Sequence, residues 1–145
     1  MKIAFLYFDD IHHIYHSVSI AIELSRMLGK SHQIVLLSST ADNTRLLEKF
    51  CAGHQNHYCE VRQLKATLGY RLFYRFHRKF PRKSRMLKKH RKLLAGFDAI
   101  VGTELSSAKL RRYLGDKTPS LILTKHGAGD RSYGYRTDIK HYDFI

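Results

Sequence analysis

Two short stretches carry most of the side chains able to move a proton or hold an anion. The first follows an apolar run near the start of the chain and contains Asp9, Asp10, His12, His13, Tyr15 and His16; the second contains Lys125, His126, Gly127, Ala128, Gly129, Asp130 and Arg131. An imidazole exchanges protons near neutral pH, which makes His126 a candidate general base. Gly127 and Gly129 allow backbone N–H groups to approach a ligand, and Lys125 or Arg131 can stabilise phosphate charge. Three histidines and two aspartates in the first stretch are also suitable metal ligands. However, HExxH or a comparable ligand spacing is absent, and no metal is expected. Neither GxxxxGK[ST] nor an early GxGxxG follows the first apolar run, which argues against ATP hydrolysis and ordinary dinucleotide binding. Plainer roles stand beside these. Asp9 and Asp10 suit a strand end, Asp130 and Arg131 a local ion pair, and His126 a loop hydrogen bond.

The elements that would position these residues alternate strand and helix. Residues 3–8 form a near-continuous apolar run of the kind found in parallel strands covered on both faces. A helix is expected over 18–28, with Ser17 as N-cap and Gly29 as stop, so that 9–16 read as a loop. A second strand follows at 34–37. Thr40 or Asp42 then starts a helix with Leu46, Leu47, Phe50 and Cys51 on its buried stripe. Further strands are expected at 57–61, 98–101 and 120–123, with a short helix at 106–113. The pattern is an α/β, Rossmann-like doubly wound parallel sheet with helices on both faces, in one domain spanning 1–145. The loops after Phe8, Leu37, Val101 and Leu123 should therefore line one rim, where such sheets bind ligands. The closing Tyr142-Asp143-Phe144-Ile145 reads as the first part of another strand, and thus as a sign of a longer parent.

Charge is distributed unevenly. Residues 61–97 hold thirteen of the 26 Lys and Arg and no Asp or Glu, and the whole chain has a formal charge of +14. Such a field attracts phosphate, whether in a nucleotide, a nucleic acid, an anionic polymer or a bilayer surface. Two amphipathic helices are expected in this run. In 67–80, Leu68, Leu72, Phe73, Phe76 and Phe80 share one face, opposite Arg71, Arg75, Arg78 and Lys79; in 84–95, Met86, Leu87, His90, Leu93 and Leu94 do the same. With Arg82 and Lys83 between them, the cations form a candidate anion or membrane surface. At 145 residues and 43% apolar content the chain suits a single core. Cys51 and Cys59 have neither metal-ligand spacing nor the density of a secreted disulfide scaffold, and read as structural thiols in a reducing compartment. No apolar run reaches the roughly 18 to 20 residues that span a bilayer.

The segment TKHGAGDRSYGYRTDIKHYDFI resembles the end of the amino-terminal domain of two-Rossmann-domain (GT-B type) glycosyltransferases, in particular the CDP-glycerol glycerophosphotransferase-like family. His126 and Gly127 match that family's His-Gly pair, and Tyr142, Asp143 and Phe144 match a later strand. Lys125 stands where the family usually has Trp, and Ala128 to Arg131 replace a Thr-Pro-type continuation. The resemblance implies the acceptor-side domain of a transferase that moves a sugar or polyol phosphate from a nucleotide-activated donor in cell-envelope polymer or glycan synthesis. It also implies His126 as the base that activates an acceptor hydroxyl. The domain itself would hold no cofactor, the donor belonging to a carboxy-terminal domain, and an isolated copy would be inactive. The expected partners are an anionic acceptor or lipid-linked glycan and an anionic membrane surface, with a peripheral, cytoplasmic location at the inner face. The alternative is a non-catalytic nucleic-acid-binding module. In that case the basic run contacts phosphate and Tyr70, Phe73, Tyr74 and Phe76 stack on bases. Nonspecific, salt-sensitive nucleic-acid binding follows from +14 in either case.

Overall fold

The computed structural model describes residues 1–8, 10–69, 72, 82–124 and 137–145. Five strands among them form one parallel sheet in the order β3-β2-β1-β4-β5. They are β1 (Lys2–Tyr7), β2 (Gln33–Ser38), β3 (Cys59–Gln63), β4 (Ala99–Gly102) and β5 (Ser120–Leu123). Side chains on a strand point alternately to opposite faces, and the two halves of the core divide accordingly. Ile3, Phe5, Tyr7, Ile34 and Leu36 face helices α1 (His12–Leu28) and α2 (Ala41–Ala52), meeting Ile14, Val18, Ile22 and Leu47. Ala4, Leu6, Val35, Leu37, Ile100 and Leu121 face the other way, against α3 (Lys83–Lys89), α4 (Arg91–Leu94) and α5 (Lys109–Leu114). Both faces are covered, which is why β1 and β2 consist almost entirely of apolar residues. This is the doubly wound, Rossmann-like α/β fold expected from the alternation.

Some element boundaries differ from expectation. Helix α1 begins at His12 and not near Ser17, so His12, His13, Tyr15 and His16 lie in its first turns and not in a loop. The buried stripe explains the extension, since Ile14 stands one turn before Val18 and is fully buried. Ser17 is therefore interior to the helix, where its hydroxyl donates to the Tyr7 hydroxyl at 3.1 Å. Gly29 does end α1, with φ of 63° and its N–H on the Ser25 carbonyl, a conformation that favours glycine. Thr40 caps α2 by accepting from the Asn43 amide at 3.2 Å.

The expected helix over 84–95 is two pieces that meet at His90. There the ring nitrogen Nε2 lies 3.1 Å from the Lys65 carbonyl, and Lys89 Nζ donates to that same oxygen at 2.7 Å. Both side chains tie the junction to Lys65, and Leu93 faces outward while Met86, Leu87 and Leu94 are buried. The region expected as a helix at 106–113 starts instead as a 3-10 turn, Leu105–Ala108, before α5. The neighbouring expectation of a helix over 67–80 lies almost wholly outside the described residues.

The closing residues run beside β5. Ile122 and Phe144 form a parallel bridge, and Leu123 N–H donates to the Phe144 carbonyl at 2.9 Å. Arg111 grips both Asp143 oxygens at 2.6 Å, while Asp143 also accepts from the Leu121 amide at 2.7 Å. Among the described residues, no helix is long and apolar enough to cross a membrane.

Candidate functional site

The order in which strands are added reverses at β1, whose neighbours are β2 on one side and β4 on the other. The chain leaving β1 turns into α1 on one face, whereas the chain leaving β4 turns toward α5 on the opposite face. A crevice opens between two such loops, and open α/β sheets bind ligands there. The side chains that meet across it are His13 and Thr103, with Nδ1 3.0 Å from Oγ1 and both residues buried. That contact spans 90 residues of sequence. His13 reaches it because the first turn of α1 forms over the end of β1, its amide bonded to the Asp10 carbonyl at 3.1 Å. His12 and His16 are exposed on the same turns, with the His12 ring centroid 4.1 Å from that of His13 and 6.3 Å from that of His16.

Beyond Thr103 the β4 loop builds a polar network. Lys83 forms an ion pair with Glu104 in which both side chains are largely buried. The Tyr142 hydroxyl donates to the Glu104 carbonyl at 2.6 Å and accepts from the Ala108 amide at 3.2 Å. Burial pushes the Tyr142 phenol up to about 12, so it serves as a neutral donor. Gly102 is required by close approach: a Cβ there would stand 2.6 Å from Ser107 Oγ. A cleft of about 10 Å³ remains between Phe8, Leu87, Gly102, Glu104 and Ser107. That is room for one water, so a substrate would lie over this cleft and not inside it.

The rim of β2 adds Thr40 and Asn43, the latter donating from Nδ2 to the last carbonyl of β1, Tyr7, at 3.3 Å. At β5, the Thr124 amide donates to the Gly102 carbonyl at 3.0 Å, which brings Thr124 to the same edge. Asp9 lies outside the described residues, as do Lys125, His126, Gly127, Gly129, Asp130 and Arg131. Of the basic surface, Arg71, Arg75, Arg78 and Lys79 also lie outside them. Arg82 is exposed at the start of α3, and Lys83 is engaged by Glu104. Among the described residues no three His, Cys, Asp or Glu side chains are gathered as a metal site.

Compared with known protein families, the chain matches no family model, and a comparison with curated proteins finds no match. The fold is that of Rossmann-like domains in general, which commonly bind nucleotides and other small ligands at this edge.

Sequence reasoning named the loops after the strands but not Thr103, Glu104, Asn43 or Ser107. The usable signal was position. Gly-Thr-Glu directly follows a buried strand, and a small polar residue at such a carboxyl end is placed for ligand contact.

Proposed function

We propose that this domain is the acceptor-side half of a transferase that moves a sugar or polyol phosphate from a nucleotide-activated donor during cell-envelope polymer or glycan synthesis. The observation that carries the reading is the buried His13–Thr103 contact at the carboxyl edge where the strand order reverses, with Thr124 bonded to Gly102 beside it. Strands in a sheet are about 4.8 Å apart, so β5 ends roughly 10 Å from β1, within the span of a sugar and its phosphate. In this reading His126 takes the proton from an acceptor hydroxyl as that oxygen attacks the donor, and Lys125 or Arg131 offsets developing phosphate charge. A second domain supplies the nucleotide-activated donor. The basic run holds the enzyme against anionic lipid at the inner face of the membrane, each exposed cation near the headgroups contributing about 1 kcal/mol.

The test is a backbone-amide NMR titration of the chain with a short glycerol phosphate oligomer, beside a single-stranded oligonucleotide of equal charge at matched salt. Oligomer-induced shifts should concentrate on Asp10, His13, Thr103, Glu104 and Thr124. Shifts absent from these residues would overturn the acceptor reading. Tighter oligonucleotide binding that weakens on Tyr70→Ala or Tyr74→Ala would replace it with the nucleic-acid module.

A further inference from the structure

The opposite, amino-terminal edge of the sheet carries chemistry that the proposed transferase does not use. An open groove of about 580 Å³ lies there, with Lys2, Lys30, His32, Tyr58, Cys59 and Glu60 among its lining residues. Cys59 opens β3, is partly exposed and contributes to the lining of this groove. Cys51, in the last turn of α2, is buried in the apolar cluster against which Cys59 packs, and both are free thiols. His57 ties the two residues together. Its Nε2 lies 2.9 Å from the Cys51 carbonyl and so bears the proton, leaving Nδ1 to accept the Cys59 amide at 3.1 Å. The loop is closed further by Asn56, at φ of 60°, and by Ser25 Oγ, which accepts from the Tyr58 amide at 3.2 Å.

The surroundings of the two sulfurs differ. The Cys59 thiol donates to the Ala21 carbonyl at 3.4 Å. The Cys51 side chain holds the Cys59 thiol below its ordinary value, while Cys59 and burial push Cys51 up. Lys2 and Lys30 add positive potential on the groove side, and Glu60 is offset by Arg62 at 2.5 Å. A partly exposed thiol beside a buried one is the arrangement in which the first reacts with peroxide and the second closes on it.

We propose that Cys59 and Cys51 are a hydroperoxide-sensitive dithiol, in which Cys59 meets the oxidant from the amino-edge groove and Cys51 resolves it. The Cys59 thiolate attacks one peroxide oxygen, the O–O bond breaks, and the departing hydroxide takes a proton to leave as water. Cys59 is now a sulfenic acid. The Cys51 sulfur attacks it, the S–O bond breaks, a second water leaves, and an S–S bond joins α2 to β3. Two thiols are oxidised by two electrons and one hydrogen peroxide is reduced to two waters.

Tryptic cleavage after Lys49 and Arg62 places both cysteines in one peptide, residues 50–62. After stoichiometric hydrogen peroxide and alkylation of the native chain, this peptide should be two hydrogen masses lighter and unalkylated, and a reductant should restore two alkylation sites. In Cys51→Ser, a sulfenate-trapping dione should label Cys59. In Cys59→Ser, Cys51 should react at least about tenfold more slowly than Cys59 does in Cys51→Ser. Double alkylation of the native peptide after peroxide, or disulfides only between chains, would overturn the proposal. So would equal reaction of the two single variants. The native-chain result decides even if a variant does not fold.

Discussion

The two faces of the sheet are built by different means. On one, α1 and α2 run 17 and 12 residues and bury Ile14, Val18, Ile22 and Leu47 against the strands. On the other, α3, α4 and α5 run only 7, 4 and 6 residues. Helices that short do not hold themselves together in water, so their placement depends on contacts made elsewhere in the chain. Those contacts are polar: His90 and Lys89 to the Lys65 carbonyl, Lys83 to Glu104, Tyr142 to Glu104, and Arg111 to Asp143. Both faces bury an apolar cluster, and on the second these polar ties between distant residues hold the short helices as well. Charge and pH should therefore act more strongly on the second face than on the first.

The largest expected effect removes packing from the first face. Ile22→Ala deletes a fully buried side chain and should cost about 2 to 5 kcal/mol, measured by urea unfolding. The same loss should appear at pH 4.5 and pH 7. A strongly pH-dependent loss would break the comparison. Gly102→Ala should cost about 1 to 3 kcal/mol through its clash with Ser107 Oγ, and Ser107→Ala should recover much of that loss in the double variant. Without such recovery, the close approach is not what requires glycine.

Tyr142→Phe leaves the Glu104 carbonyl and Ala108 amide without their partner and should cost about 1 to 2 kcal/mol. Hydrogen exchange should quicken around 105–108 and 142–145 while α1 and α2 stay protected. Uniform loss of protection would mean the two faces unfold as one.

The smallest effect is electrostatic. The Leu121 amide, and after it Arg111, holds the Asp143 carboxyl below its ordinary range. A depressed carboxylate contributes stability that is present above its unfolded value of about 3.9 and lost as pH falls through the folded value. Asp143→Asn should flatten that part of the acid unfolding curve while changing stability at pH 7 by less than about 1 kcal/mol, because the pair is partly exposed. An unchanged curve would remove Asp143 from the ties that hold the second face.

The same contrast governs how much could be read from the sequence. Residues 120–123 and the Thr40 cap coincide with expectation because each is set by local signals: an apolar run after Pro119, and a hydroxyl before a helical stripe. The start of α1 was misplaced because Ser17, a good cap by residue type, is used inside the helix to meet Tyr7. The contact of His90 with Lys65 spans 25 residues, and no local pattern encodes it. The candidate site was legible at the level of loops, since buried strands announce where they end. Its contacts were not, because pairing His13 with Thr103 requires the strand order, which periodicity alone does not supply.

That strand order also sets a sequence of events in time. Ile3 pairs with Ile34 on one side and with Ala99 on the other. The second pairing closes a far longer loop, with a larger entropic cost before any contact is gained. The β1–α1–β2 crossover unit can therefore assemble early, while the β1–β4 seam waits for most of the chain. In a refolding experiment with pulsed hydrogen exchange, the amides of β4 should gain protection after those of β2. The crevice, whose walls lie on either side of that seam, is among the last parts of the molecule to come into existence.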